Sequence, residues 1–200
     1  MKKFLLLLVA IHLIPVQAQE KWSRESAAAF QKQINKEYAD KKESPLTDED
    51  FKIFKTLDFY PIDSKFAVTA KFLKSANEKS FKMKTTGARL PEYIKYGELH
   101  FAIDGKKCKL NVYQNVELSQ KPEYQDYLFL PFSDLTCGKE SYIGGRYIDM
   151  RFPKSDIVII DFNTAYNPYC AYNHNYSCPI VPLENDLEIE ISAGVKKFHD

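Results

Sequence analysis

The hydrophobic positions of this 200-residue chain change period once, and that change separates a helical start from a long β region. Between Lys21 and Asp40, Trp22, Ala27, Phe30, Ile34 and Tyr38 recur at helical spacing among charged residues, which predicts an amphipathic helix lying on a sheet. Ser44-Pro45 breaks the pattern. Thr47, followed three residues later by Asp50, has the arrangement of a capping box and predicts a short second helix through Phe51 and Phe54.

After Tyr60-Pro61 the period becomes two. Phe66, Val68, Ala70 and Phe72 alternate with polar neighbours, as a half-buried strand requires, and Phe81 and Met83 repeat the pattern between lysines. Leu99, Phe101 and Ile103 lead into Asp104-Gly105, a pair suited to positive φ, and Cys108, Leu110 and Val112 return as the partner strand of a hairpin. Segments 127–132, 147–152, 157–162 and 187–191 extend the series to eight or nine strands. Strands in succession without helices between them predict a mainly β fold, an antiparallel sandwich or partly closed barrel with one or two N-terminal helices. No repeat or linker divides the chain. The division expected is a leader at 1–18, a helix and connection at 19–45, and an antiparallel β domain at 46–200.

The leader changes the picture of where the protein works. Lys2 and Lys3, the apolar run 4–11, Pro15 and the small-residue step Val16-Gln17-Ala18 match a secretory signal, with cleavage expected after Ala18. The apolar run is short for a membrane span and has no cysteine beside it to carry a lipid, so the expected product is periplasmic or secreted, with no stable membrane anchor. Loss of Lys2 and Lys3 leaves 26 basic residues against 27 acidic ones, a balance that argues against nucleic acid as a partner. In an oxidising compartment Cys108, Cys137, Cys170 and Cys178 allow three pairings. Cys170 with Cys178 is favoured because it closes a short loop, worth about 2 to 3 kcal/mol in the chain-entropy description.

Candidate chemistry concentrates in two loops. Segment 161–179 carries Asp161, Asn163, Tyr166, Asn167, Cys170, His174 and Cys178 with no periodic apolar pattern, and segment 132–147 carries Asp134, Glu140 and Arg146 among glycines. Tyrosine faces and asparagine amides suit a sugar or another small polar molecule, although the same side chains serve equally well to pin a loop to itself. Hydrolysis would use Cys170 or Ser177 as nucleophile with His174 as base, or Asp161 and Glu184 as paired acid and base. Zinc would use Cys170, His174 and Cys178, but their spacing matches no standard module; neither metal nor cofactor is assigned.

The residues Phe132, Asp134, Thr136, Gly138, Glu140, Tyr142, Gly145, Arg146 and Tyr147, then Asp161, Phe162, Asn163, Ala165, Tyr166, Asn167, Pro168, Cys170, Cys178, Pro179, Glu184, Asn185, Ala193, Gly194 and Lys196, resemble the motifs of the Domain of Unknown Function 1684 family. The likeness spans most of the chain after the leader. Thr164 stands where members often carry Arg, and Val195 where they often carry Glu. The resemblance implies membership and no activity; it marks Asp134, Glu140, Arg146, Asp161, Asn163, Tyr166, Asn167, Glu184 and Asn185 as the surface expected to meet a ligand. The oligomeric state stays open.

Overall fold

A computed structural model of the chain describes residues 21–199; the expected leader at 1–18 lies outside them. Helix α1 (Arg24–Ala39) and the short α2 (Asp48–Ile53) precede β1 (Ala67–Lys74), β2 (Phe81–Lys82), β3 (Glu92–Ile103), β4 (Lys106–Asn115), β5 (Tyr127–Asp134), β6 (Arg146–Arg151), β7 (Ile157–Asp161) and β8 (Asp186–Leu187). α1 begins three residues later than the spacing suggests. Ser23 takes an extended backbone and its Oγ accepts the Ser26 amide at 3.1 Å, which leaves Trp22 outside the helix. Ahead of α2, the Thr47 hydroxyl accepts the Asp50 amide and donates to its carboxylate at 2.7 Å.

The strands form one curled sheet in the order β6-β5-β4-β3-β1-β7, with β2 beside β3 and β8 beside β5. Every pair is antiparallel except β5 with β8. The β3–β4 hairpin turns on Asp104 and Gly105, both at positive φ, as that dipeptide predicts. At the far ends of the sheet, Tyr147 of β6 and Tyr166 beyond β7 exchange both backbone hydrogen bonds, at 2.9 and 3.0 Å. One bridge thus ties the two edges together, and the molecule is a half-barrel rather than a sandwich.

Side chains from seven strands meet inside the curl, among them Val68, Leu99, Leu110, Leu128, Ile148, Ile160 and Leu187. The opposite face of β3–β6 is also covered, by a second cluster of Met83, Tyr93, Tyr113, Phe129 and Tyr147. This explains the unbroken apolar run 127–132: β5 is buried on both sides. α1 packs mainly against loops. Its Ile34 and Tyr38 join Leu46, Leu57, Tyr172 and Val195 in a third cluster. Among the described residues no helix is long and apolar enough to cross a membrane.

Two expected strands shrink. Phe81 is exposed and its strand is only two residues long, and the ladder predicted over 187–191 is reduced to β8. Leu187, Ile189 and Ile191 still alternate inward. Their neighbouring backbone groups are taken by side chains instead of a ladder: Ile191 N–H donates to Asp134, and the Ile191 and Ala193 carbonyls accept from Arg146.

Gly194 sits at φ +79°, where a Cβ would lie 2.5 Å from the Ala165 carbonyl oxygen, whereas Gly105, at φ +77°, has open space around it. Gly105→Ala should cost only the left-handed penalty of about 1 kcal/mol. Gly194→Ala should cost at least about twice that in urea denaturation. Equal losses would show that the approach to Ala165 does not constrain this segment.

Candidate functional site

Arg146, the first residue of β6, and Asp134, the last of β5, are fully buried and paired at 2.7 Å. Besides the carboxylate, the guanidinium donates to the carbonyls of Ile191, at 2.8 Å, and Ala193, and it stands 5.2 Å over the Phe132 ring. Asp134 Oδ1 accepts the Thr136 amide and hydroxyl and the Ile191 amide, at 2.7 to 3.1 Å. Two charges out of water are tolerable only when most of their donors and acceptors are met, and here the Arg146 Nε–H lacks a partner among the described residues. Together they anchor the backbone of 191–193.

That segment in turn holds the 161–167 loop. Val195 N–H donates to Ala165 O, Asn167 Nδ2 donates to Lys196 O at 2.8 Å, and Lys196 N–H donates to Asp58 O. Asn163 is fully buried with its amide committed to Asp63 N–H, Asp63 O and Asp161 Oδ1. Asp161 also accepts the indole N–H of Trp22 at 2.8 Å. Asn185, likewise fully buried, bridges Asn111 of β4 and Pro131 of β5 through both ends of its amide.

Cys170 and Cys178 lie side by side as thiols, the Cys170 amide donating to Cys178 Sγ at 3.2 Å. Contact with Cys178 first, with help from Thr86 and Tyr142, pulls the Cys170 thiol down to about 6, while the same contact pushes Cys178 far up. His174 is exposed and makes no hydrogen bond among the described residues, so no imidazole stands behind Cys170. Among the described residues no three His, Cys, Asp or Glu side chains gather where they could hold a metal ion, and the Cys170, His174, Cys178 spacing does not become a ligand set.

An open cleft of about 450 Å³ lies between α1 and the aromatic outer face of the sheet. Phe30 and Tyr38 border it from the helix side, Tyr93, Tyr127, Phe129 and Tyr147 from the strands, and Tyr166, Tyr169 and Tyr176 from the loop beyond β7. Neighbouring rings meet edge to face: Phe129 and Tyr147 at 4.7 Å and 74°, Tyr147 and Tyr166 at 5.9 Å and 90°. Asp149, two residues beyond Tyr147 on the same face of β6, accepts the phenol protons of Tyr127 at 2.7 Å and Tyr166 at 2.6 Å. Burial first, and the Asp149 charge second, push both phenols well above their ordinary range, so they remain donors.

Residues 52–196 match the family described as Protein of unknown function (DUF1684). The chain belongs to that family. A solved structure similar to this DUF1684 protein is the solution structure of an uncharacterized protein from Haloarcula marismortui, 29% identical with a TM-score of 0.68, covering 86% of this chain and 92% of that one. The comparison with curated proteins gave no match.

In this family member, Tyr166 alone among the nine ligand-binding residues expected from sequence lines the cleft. Asp134, Arg146, Asn163 and Asn185 are fully enclosed, and Asn167 is buried with them. Asp161 accepts from Trp22 and Asn163, while Glu140 and Glu184 are exposed away from the buried pair. The two loops meet directly at the Tyr147–Tyr166 bridge and at Tyr142 beside Cys170, but the expected charged and amide residues of the two are joined only through the 191–196 backbone and do not face a common cavity. Asp149 and the strand tyrosines escaped the loop-centred sequence reading. The available signal was the run 127–132 without polar alternation, which indicated a second covered face.

Removing the guanidinium in Arg146→Ala strands a buried carboxylate and should cost about 3 to 5 kcal/mol in urea denaturation. Arg146→Lys should recover little, because a single ammonium does not reproduce a fork reaching Asp134, Ile191 and Ala193. A loss under about 1 kcal/mol for Arg146→Ala would contradict the keystone role. In reduced protein at neutral pH, peptide mapping after iodoacetamide should find Cys170 alkylated well ahead of Cys178; the reverse order would contradict the lowered Cys170 thiol.

Proposed function

We propose that this protein is an exported binding protein that takes a small polar molecule, of the size of a sugar or an amine, into the cleft between α1 and the aromatic face of the sheet. The observation that carries the reading is the lining itself: nine aromatic side chains around about 450 Å³, with Asp149, Arg89, Glu37 and Gln33 as polar groups at its walls. Flat rings with a few placed polar groups, in a cavity of this size, are the usual makings of a small-molecule site. Edge-to-face pairs lock the rings against one another, so little ordering is required when a ligand enters. Export is supported by the sequence pattern of 1–18, and in an oxidising compartment the adjacent Cys170 and Cys178 would close as a disulfide beside the cleft.

A thermal-shift panel of neutral sugars, amines and organic acids at near-millimolar concentration should contain members that raise the melting temperature. Gln33→Trp, on the exposed side of α1, should fill the cleft and abolish that stabilisation while leaving the unliganded melting temperature unchanged. Stabilisation that survives Gln33→Trp would place binding elsewhere, and a panel with no stabilising member would contradict the reading.

A further inference from the structure

We infer that the cleft selects a small organic cation, an ammonium or quaternary ammonium group seated against Asp149 and the faces of Tyr147 and Tyr166. This rests on the binding reading above and narrows it to one charge class. The first support is charge. Among the described residues no lysine or arginine pairs with Asp149, and its carboxylate reaches solvent within the cleft. Arg151, two residues along β6, is paired with Asp126 at 2.7 Å, its guanidinium 6.0 Å over the Tyr127 ring.

Of the other charged groups at the walls, Glu37 is acidic, and Arg89 is engaged with the Ser177 carbonyl at 2.6 Å. The balance of formal charge at the lining is therefore negative, which favours a cation over an anion. The second support is geometry. Both phenol protons go to Asp149 Oδ1, so the tyrosine hydroxyls are occupied in orienting the carboxylate and present rings, not donors, to an occupant. The 90° corner between Tyr147 and Tyr166 offers π surface from two directions, the arrangement by which aromatic walls hold ammonium groups. A neutral sugar would gain nothing from the negative charge, whereas an ammonium group meets a carboxylate and π faces together.

Calorimetric titration with choline and with its neutral isostere 3,3-dimethylbutan-1-ol tests this directly, since the two differ in charge and hardly in shape. The native protein should bind choline at least about tenfold more tightly than the alcohol, a difference of about 1.4 kcal/mol. Asp149→Asn keeps an acceptor for the Tyr127 and Tyr166 hydroxyls while removing the charge, and should bring the two affinities level. Equal binding of both probes by the native protein, or a preference for choline that survives Asp149→Asn, would overturn the cation reading. Binding of the alcohol or a sugar without choline would also overturn it, yet leave the cleft as a binding site. If none of the probes binds, both readings fail.

Discussion

The Arg146 guanidinium and the Asp134 carboxylate, excluded from water and facing each other at 2.7 Å, do the work that a longer C-terminal strand would otherwise do. Their spare donors and acceptors bind the backbone at Ile191 and Ala193, and the residues just beyond, through Val195 and Lys196, bind Ala165 and Asn167. Between those two contacts stands Tyr166, whose backbone closes the half-barrel against Tyr147 and whose hydroxyl fixes Asp149. The positions of the cleft groups therefore depend on a pair that does not line the cleft. Gly194 belongs to the same line of force, because the 191–196 segment passes the Ala165 carbonyl closely enough to leave no room for a side chain.

Much of the fold was legible from alternation. Val68, Ala70 and Phe72 point inward as their spacing requires, and Asp104-Gly105 turns the hairpin by the positive φ that such a pair tolerates. What alternation conceals is any backbone paired by side chains. Leu187, Ile189 and Ile191 read as a strand because they alternate inward, yet much of their hydrogen bonding goes to Asp134 and Arg146, residues more than forty positions earlier. A sequence pattern reports which face of a residue is buried; it does not report which group satisfies its amide.

The candidate site was legible in part for a related reason. Asparagine and aspartate in an irregular loop are equally suited to recognising a ligand and to holding the loop, and Asn163, Asn167 and Asn185 hold it. Their tyrosine neighbours divide differently: Tyr166, Tyr169 and Tyr176 face the cleft, while Tyr172 packs into the cluster beneath α1. Asp149 gave no local signal, since a lone acidic residue on a strand reads as an ordinary solvent-facing position. It becomes distinctive only when the curl of the sheet brings Tyr127 and Tyr166 to the same oxygen.

The central claim is that the motif-bearing loops form a support and that ligands meet the aromatic face behind α1. Mapping amide shifts by NMR during titration with whichever small molecule stabilises the protein tests it most directly. The account predicts perturbations at Gln33, Glu37, Tyr127, Asp149, Tyr166 and Ser177, with Asn111, Asn185 and the 139–141 turn unmoved. Shifts centred on Glu140, His174 and Glu184, with the cleft residues silent, would contradict it.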